Sequence, residues 1–432
     1  MIATIIIALL TCITLILSIL FFPKIKVFKK EINTYWLICI IGALLMLIFN
    51  CIDFKEALDG LLAPSSVNPI KILVLFFSMT FISVFLDELG FFRYLSVALL
   101  KECKSNQYSL FFLLYGLVAI LTVFTSNDIV ILTFTPFICY FAKNAKINPL
   151  PYLVGEFAAA NTWSMMLIIG NPTNIYLATS ANIDFISYLK VMALPTLIAG
   201  IIQVLLIFVL FRKPLSLTMN IEFKEKKIKD KVSLIIALAH LILCLLLLTV
   251  SSYISISMWI ICLLCAFSMV VDISIYYLIK HKTFKKVVNT FKRLPYELIP
   301  FVLSMFIVVL SLKKQGITGY INNFFGEEYT IIKYGFSSFL SANLMNNIPM
   351  SVLFSSIVDV NSLNGLKALY SVIIGSNIGA FLTPVGALAG IMFTNLTSKY
   401  EVNYSFVSFI KYGLIISIPT LSISLLVLSF IL

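Results

Sequence analysis

The chain has 432 residues, of which 61% are hydrophobic and 12% are charged, and its formal net charge is +12. This composition excludes a large soluble protein and predicts an all-α integral membrane protein. The eight cysteines lie mostly in apolar runs. Cys262 and Cys265 could meet on one helix face, but no second pair matches them as in a metal site. Because catalytic metal-binding and phosphate-binding motifs are also absent, we expect no enzymatic activity, no metal and no cofactor.

Apolar runs long enough to cross a bilayer recur along the chain and predict about ten transmembrane helices. Lys and Arg cluster near residues 23–33, 212–231 and 280–293, and such clusters mark cytoplasmic loops. Both termini should then lie outside, and the positive charge reflects topology and not a nucleic-acid partner. We expect a multi-pass protein of the plasma (inner) membrane, embedded in the lipid bilayer. The predicted crossings are residues 2–22, 34–52, 68–86, 151–182, 186–211, 232–250, 254–279, 295–312, 365–395 and 404–431.

The third crossing is followed by two segments that do not fit a simple crossing. Residues 89–104 predict an amphipathic helix on the cytoplasmic surface. Residues 106–142 form two apolar arms around a polar centre, with basic residues at both ends. We interpret this segment as a re-entrant hairpin whose tip, residues 126–128 (Ser-Asn-Asp), lies near the middle of the membrane. Two full crossings are the alternative.

The fourth crossing is interrupted by the run Gly170-Asn171-Pro172-Thr173-Asn174. Pro172 removes a backbone donor and Gly170 adds backbone freedom, so this run should unwind the helix. Unpaired backbone at membrane depth is tolerated where it lines a cavity or a substrate site, as in the broken helices of transporters. A kinked structural helix is the alternative.

The second half of the chain repeats these features in the same order. Residues 304–320 align without a gap with residues 78–94, and Gly316 then matches Gly90. On the predicted topology the two copies cross the membrane in opposite directions. Inverted repeats of this kind are typical of secondary transporters.

A second hairpin and a second broken helix follow the repeated segment. The hairpin spans residues 330–359, and the broken helix at 371–393 contains Pro384 and Gly386. We place Pro384 opposite Pro172 of the first half. The predicted fold therefore has about ten transmembrane helices in two inverted repeats, each with a re-entrant hairpin and a broken helix. We divide the chain into a first transport repeat with two leading helices (1–211), a basic cytoplasmic linker (212–231) and a second, inverted repeat (232–432).

Each break creates free helix ends inside the membrane. The helix N-terminus near Thr173 suits an anion or a polar oxygen, whereas unwound carbonyls near Gly170 and Leu382 suit a small cation. Asn, Ser and Thr side chains add neutral donors and acceptors without the cost of a buried charge. The predicted substrate-binding residues are Ser126, Asn127, Asn171, Thr173, Asn174, Asn346, Asn347, Ser376, Asn377 and Thr383.

Four ionisable residues lie within the apolar segments. Asp128 is the only carboxylate at a hairpin tip, so it is the candidate for binding Na⁺ or carrying H⁺; an N-cap role is the alternative. Glu156 is placed to reach the cytoplasmic interface, and the sequence identifies no partner for Asp272. His240 is more typical of a packed, hydrogen-bonded residue than of a proton relay.

Several of these runs resemble the arsenite permease family. Thr125-Ser126-Asn127-Asp128, followed by Thr135-Pro136, resembles its hairpin signature. The run at 170–175 resembles the break found across the wider ion transporter superfamily, which includes citrate-type carriers. The other matching runs are Leu86-Asp87-Glu88-Leu89-Gly90-Phe91-Phe92, Met345-Asn346-Asn347-Ile348-Pro349 and Leu382-Thr383-Pro384-Val385-Gly386.

The resemblance covers nearly the whole chain and implies export of a metalloid oxyacid by proton exchange, in some relatives with a soluble ATPase partner. Nothing in the sequence indicates that partner. The sodium-dicarboxylate branch is similar in architecture, but its paired Ser-Asn-Thr tips read Ser-Asn-Asp at 126–128 and Met-Asn-Asn at 345–347 here. This difference argues against a two-sodium carboxylate mechanism.

We therefore expect an elevator-like or rocking secondary transporter of a small oxyanion or oxyacid, coupled to H⁺ or Na⁺. Arsenite or antimonite is the leading substrate class. A citrate or dicarboxylate carrier and a Na⁺/H⁺ antiporter are the alternatives, and the sequence leaves formation of a homodimer open.

Overall fold

The structure is a computed structural model that describes residues 1–22, 24–27, 30–62, 68–102, 106–219, 228–251, 253–402 and 404–432. The first half contains α1 (Ile2–Phe21), β1 (Lys24–Val27), β2 (Lys30–Asn33), α2 (Tyr35–Ile48), α3 (Phe54–Leu62), α4 (Pro69–Glu88), α5 (Phe91–Glu102), α6 (Gln107–Phe124), α7 (Asn127–Ala145), α8 (Leu150–Trp163), α9 (Pro172–Ser180) and α10 (Phe185–Leu210). The second half contains α11 (Arg212–Leu215), α12 (Lys231–Thr249), α13 (Met258–Ile279), α14 (Lys285–Arg293), α15 (Leu298–Lys314), α16 (Ile317–Phe325), α17 (Thr330–Met345), α18 (Asn347–Ile357), α19 (Gly365–Gly379), α20 (Leu388–Lys399) and α21 (Phe406–Ile431).

The ten predicted crossings are confirmed, although three of them are not single long helices. Eight helices of the described chain are long and apolar enough to span a membrane, and one of these, α6, is a hairpin arm. The second crossing is the shorter α2, while the fourth and ninth are split into α8 with α9 and α19 with α20. Part of the predicted linker, residues 220–227, lies outside the described residues.

The ends of distant helices meet on one face, which we call the basic face because it carries the loops at 24–33, 211–219 and 280–297. There Asn33 Nδ2 donates to Glu297 Oε2 at 2.6 Å. Gln107 Nε2 donates to the carbonyl of Leu217 at 2.8 Å. An excess of Lys and Arg in these loops is the pattern expected of a cytoplasmic face.

The helices pack as an inverted repeat. Helix α2 of the first half packs on α15 of the second half, and its counterpart α13 packs on α4. In the same way α9 packs on α18, and its counterpart α20 packs on α7. Helices α10 and α21, which end the two halves, pack on each other. Gly90 and Gly316, matched in the sequence, both adopt left-handed backbone, with φ of +81° and +74°. A side chain would be strained at such a φ, so both copies need glycine at this turn.

A short surface helix of each half is also ion-paired to the end of a long helix of the other half, with opposite charges in the two cases. On the basic face Arg293, at the end of α14, donates to Asp87 and Glu88 of α4 at 2.6 and 2.7 Å. On the other face Lys314, at the end of α15, forms ion pairs with Asp53 and Glu56 beside α3. The hydrogen bond from Lys314 lowers the pKa of the Glu56 carboxyl below its ordinary value.

Helices α6 and α7 form hairpin 1, and α17 and α18 form hairpin 2, with a tight turn at each tip. The side chain of Asn127 at the first tip reaches Asn161, two residues before α8 ends. The backbone N–H of Asn347 at the second tip donates to Gly386 in the break between α19 and α20 at 2.9 Å. Both tips therefore lie at the depth of the helix breaks, as the re-entrant interpretation requires.

The two breaks correspond by position. The α-helices are interrupted at residues 164–171, which contain the short 3₁₀ helices Ser164–Met166 and Ile168–Gly170, and at residues 380–387, so each helix stops and restarts 216 positions later in the second half. Gly386 then corresponds to Gly170, but Pro384 corresponds to Ile168 and not to Pro172. The predicted match between the two prolines is wrong, because Pro172 is the first residue of α9 whereas Pro384 lies inside its loop.

Gly170 lies where the break folds back on itself, and we expect Gly170→Ala to destabilise the protein. A Cβ there would lie 2.2 Å from the carbonyl oxygen of Ser164. Overpacking of this kind costs roughly 1–3 kcal/mol of unfolding free energy. The thermal midpoint of the purified protein should fall clearly.

Gly116→Ala is the matched control, because no atom lies within 4 Å of its added Cβ in the interior of α6. This change should raise stability by about 0.5–1 kcal/mol. Equal midpoints for the two variants would contradict the proposed close approach at Gly170.

Candidate functional site

The two broken helices meet at Asn377 in the last turn of α19. Its Oδ1 accepts from Asn171 Nδ2 at 3.0 Å and lies 3.0 Å from Ser164 Oγ. Its Nδ2 donates to Asn174 Oδ1 at 2.6 Å. We call Ser164, Asn171, Asn174 and Asn377 the asparagine cluster; each of these side chains is at most 1% exposed.

The sequence around the first break explains how these amides are positioned. Asn171 is the N-cap of α9, and its Oδ1 accepts from the backbone N–H of Thr173 at 3.2 Å. Asn174 Nδ2 donates to the carbonyls of Ser164 and Leu167 at 2.8 and 3.2 Å. These carbonyls lie just beyond the end of α8, where backbone groups lose their helical partners, and the Leu167 carbonyl also accepts from the backbone N–H of Gly170 at 3.2 Å. The break therefore satisfies its own backbone and still presents amide groups to the second repeat.

The cluster extends to the tip of hairpin 1 through Asn161, which the sequence analysis did not identify. Asn127 Nδ2 donates to Asn161 Oδ1 at 3.3 Å, and Ser164 Oγ lies 2.8 Å from the Asn161 carbonyl. Asn161 and Asn377 are equivalent in the repeat, and each donates to the carbonyl four residues earlier at 2.8 Å. Aligning Gly170 with Gly386 would have revealed this equivalence.

The predicted residues of the second hairpin contact the second break and not the asparagine cluster. Asn346 Nδ2 donates to the carbonyl of Val385 at 3.0 Å. Thr383 Oγ1 donates to Asn343 Oδ1 at 2.7 Å, and Asn343 Nδ2 donates to Gly379 at 2.9 Å. Asn343 is a second residue that the sequence analysis missed. Hairpin 2 and its break are thus joined within one repeat.

Two predicted site residues carry buried hydroxyls without a hydrogen-bond partner. Ser126 is 4% exposed and Ser376 is fully buried, and the Oγ atom of each is unpaired. A buried unpaired hydroxyl costs about 1–3 kcal/mol. Ser376 directly precedes Asn377, and Ser126 directly precedes Asn127. Each unpaired hydroxyl thus belongs to the residue next to an asparagine of the amide network.

The electrostatic character of this network is neutral. Its described hydrogen bonds involve amides, hydroxyls and backbone groups, and none involves a charged side chain. Thr173 is fully buried, with Oγ1 3.5 Å from Asn174 Oδ1. Such groups recognise a molecule by hydrogen bonding, without a buried counter-charge.

Asp128 lies apart from the asparagine cluster. The N-cap of α7 is Ser126, so Asp128 is in the first helical turn and the N-cap alternative is wrong. Its side chain lines a separate cavity of about 130 Å³ between α2, α4, α7, the start of α15 and α20, which we call the Asp128 chamber.

The remaining ionisable groups in the apolar segments have partners. Both oxygens of Glu156 lie within hydrogen-bond distance of Thr135 Oγ1, at 2.9 and 3.0 Å. Glu156 is 1% exposed, so the prediction that it reaches the interface is wrong. His240 Nδ1 lies 2.8 Å from the carbonyl of Ile236, and Nε2 lies 3.4 Å from Asp272 Oδ2. His240 is therefore the partner that the sequence did not identify for Asp272.

Cys262 does have a neighbouring thiol: Cys244 Sγ lies 3.8 Å from its Sγ. Among the residues that the structure describes, no three His, Cys, Asp or Glu side chains are placed to hold a metal ion.

The sequence and the fold have counterparts among known proteins. The model of the citrate transporter family matches residues 27–364. The chain is 26% identical over 373 residues to an arsenical pump membrane protein of Escherichia coli, covering 82% of this chain and 85% of that protein. It is 25% identical over 210 residues to the silicon efflux transporter LSI3 of Oryza sativa subsp. japonica, covering 45% of this chain and 41% of that protein. Among solved structures, the YdaH transporter of Alcanivorax borkumensis has a similar fold, with a TM-score of 0.55, 12% identity and coverage of 99% and 98% of the two chains.

Proposed function

Because this multi-pass membrane protein belongs to the citrate transporter family, we propose that it is a secondary active transporter of a small oxyanion or oxyacid in the plasma (inner) membrane. Transport is coupled to H⁺ or Na⁺. The leading substrate class is a trivalent metalloid oxyacid such as arsenite or antimonite.

The observation that carries this proposal is the asparagine cluster. It joins two interrupted helices from opposite repeats at the depth where both hairpin tips end. Transporters with inverted repeats bind their substrates at such breaks, near the middle of the membrane. The N-terminus of α9, capped by Asn171, adds a partial positive charge to the same place.

The neutral chemistry of the cluster favours an oxyacid over a multiply charged carboxylate. An undissociated oxyacid carries hydroxyl groups that donate and accept hydrogen bonds, as do the amides and the free hydroxyls of Ser126 and Ser376. A buried citrate would instead call for Arg or Lys partners. The names of the relatives, an arsenical pump and a silicon efflux transporter, support the same substrate class.

One observation favours the carboxylate alternative. Arg93, Lys229 and Lys286 line a cavity of about 920 Å³ that opens on the basic face beside hairpin 1. Asp87 and Glu88 also line this cavity, but both are paired with Arg293, and an excess of basic side chains raises the local concentration of anions. An anion approaching from the basic face would be attracted there, so citrate and succinate belong in the same test.

Uptake into proteoliposomes tests the proposed function. Arsenite, citrate and succinate are compared under proton and sodium gradients imposed separately. We expect proton-driven arsenite movement that exceeds protein-free liposomes at least about tenfold, without movement of either carboxylate. Sodium-driven citrate or succinate uptake would instead establish the carboxylate carrier. If none of the three compounds moves under either gradient, the proposed function is wrong.

A further inference from the structure

The Asp128 chamber is a second polar site, distinct from the asparagine cluster. Its volume of about 130 Å³ is room for roughly four water molecules at about 30 Å³ each. Apolar side chains from α4, α7, α15 and α20 form most of its wall. The polar side chains that face it are Asn33, Tyr35, Thr80, Asp128, Arg293, Glu297 and Asn395.

Two carboxylates face this chamber from different helices, Asp128 at the start of α7 and Glu297 at the start of α15. Glu297 is held in place: its Oε2 accepts from Asn33 Nδ2 at 2.6 Å and from the Tyr35 hydroxyl at 3.1 Å. Asp128, in contrast, makes no side-chain hydrogen bond or ion pair with the residues that the structure describes. An unpaired carboxylate at this depth is costly unless it binds a cation or a proton.

A third group points independently to a ligand. Thr80 on α4 lines the chamber and is 3% exposed, and its buried hydroxyl has no hydrogen-bond partner. A buried hydroxyl of this kind is normally satisfied by water or by a bound group. The chamber therefore contains unsatisfied polar groups on two of its walls, Thr80 on one and Asp128 on the other.

The charges around the chamber favour a positively charged occupant. The facing cation is Arg293, and its guanidinium is already engaged with Asp87 and Glu88 at 2.6 and 2.7 Å. From α2, β2 and α20 the facing polar groups are the neutral Tyr35, Asn33 and Asn395. Among the described residues no third His, Cys, Asp or Glu side chain completes a transition-metal site there.

We propose that Asp128 and Glu297 form a proton-binding pair that supplies the coupling proton of the transporter. Glu297, next to the basic face, takes a proton from cytoplasmic water and passes it through water in the chamber to the Asp128 carboxylate. Glu297 is then a carboxylate again and Asp128 is a neutral acid, so charge and protons balance. The role of the pair in transport rests on the proposed function, whereas the existence of the proton-binding pair does not depend on it.

Infrared difference spectroscopy between low and high pH tests the pair directly on the purified protein, without any substrate. The wild type should show a protonated-carboxyl band that disappears as the pH rises, and Asp128→Asn should remove this band. Glu297→Gln should shift the pH of its disappearance downward by about one unit or more, because a like charge no longer opposes ionisation of Asp128. Glutamine keeps an oxygen that accepts from Asn33 and Tyr35, so the local fold should survive.

Two controls complete this test. Glu328→Gln, the same change at an exposed position outside the chamber, should leave the band unchanged, and Glu297→Asp should restore the wild-type midpoint. A midpoint that does not move in Glu297→Gln would show that the two carboxyl groups do not form a proton-binding pair.

In proteoliposomes Glu297→Gln should lose proton-driven arsenite movement but keep arsenite exchange. If wild-type protein moves no arsenite at all, the proposed function is wrong. The infrared result would still show whether Asp128 and Glu297 form a proton-binding pair.

Discussion

Asp128→Asn should reduce proton-driven arsenite accumulation to the level of protein-free liposomes, while arsenite exchange without a gradient stays within about twofold of wild type. The reason is the separation of the two sites. Asp128 faces its own chamber, whereas the asparagine cluster is built from the break after α8, from α9 and from α19, and contains no charged side chain. Asparagine has nearly the same volume as aspartate, but its side chain is neutral and cannot take up and release the coupling proton. The measurement is a paired assay of driven accumulation and of exchange in the same liposomes.

Asp359→Asn is the control for this experiment, since Asp359 is exposed in the loop between α18 and α19. It should leave both assays unchanged. Driven accumulation that persists in Asp128→Asn would refute the coupling role, and a parallel loss of exchange would show that Asp128 belongs to the substrate site.

Asn377→Ala should weaken arsenite binding by about tenfold to a hundredfold, the largest effect that we expect from a single amide. Asn377 is the only described residue that bonds to Ser164, Asn171 and Asn174 at once. Its removal leaves three buried groups without this partner, at about 1–3 kcal/mol for each that stays unpaired. Binding is measured by the arsenite concentration that half-saturates exchange, alongside the thermal midpoint.

The repeat supplies a matched control in Asn161→Ala. Asn161 is the counterpart of Asn377 and makes the same bond to its own helix, but its side chain has one other partner, Asn127, at 3.3 Å. Its loss should weaken binding only about threefold. Similar effects of the two variants would mean that the junction between the repeats is not the binding site. If the thermal midpoint of a variant falls so far that the protein is unfolded in the assay, the serine substitution at the same position is tested instead.

Most of the architecture could be predicted because its causes are local. Apolar length identifies the crossings, and the Gly-Asn-Pro run at 170–172 disrupts a helix wherever it occurs. The inverted repeat was visible in the pair Gly90 and Gly316, since a left-handed turn requires glycine in both copies. Pro384 was misplaced because proline tolerates both the first turn of a helix and a loop, so it does not define the register.

The candidate site was predicted in its residue types but not in its grouping. Asn171, Asn174 and Asn377 meet as a cluster, whereas Asn346 and Thr383 close the second break. Asn161 and Asn343 were missed because each lies inside a helix, where asparagine looks unremarkable. The separation of Asp128 from the cluster depends on the direction that α7 takes after the hairpin tip. Tertiary packing sets that direction, and residue patterns do not show it.

The ion pairs of Arg293 on the basic face and of Lys314 on the other face have their charges reversed between the two halves. This difference bears on how the chain inserts into the membrane. Lys314 ends α15 on the outer face, where a basic residue works against the preferred orientation of a helix. Its partners, Asp53 and Glu56, are synthesised some 260 residues earlier and are already outside when α15 is inserted. The first repeat thus provides the counter-charge for the second. Expressed alone, residues 232–432 should orient α15 less reliably than they do when the first repeat is supplied, even as a separate polypeptide.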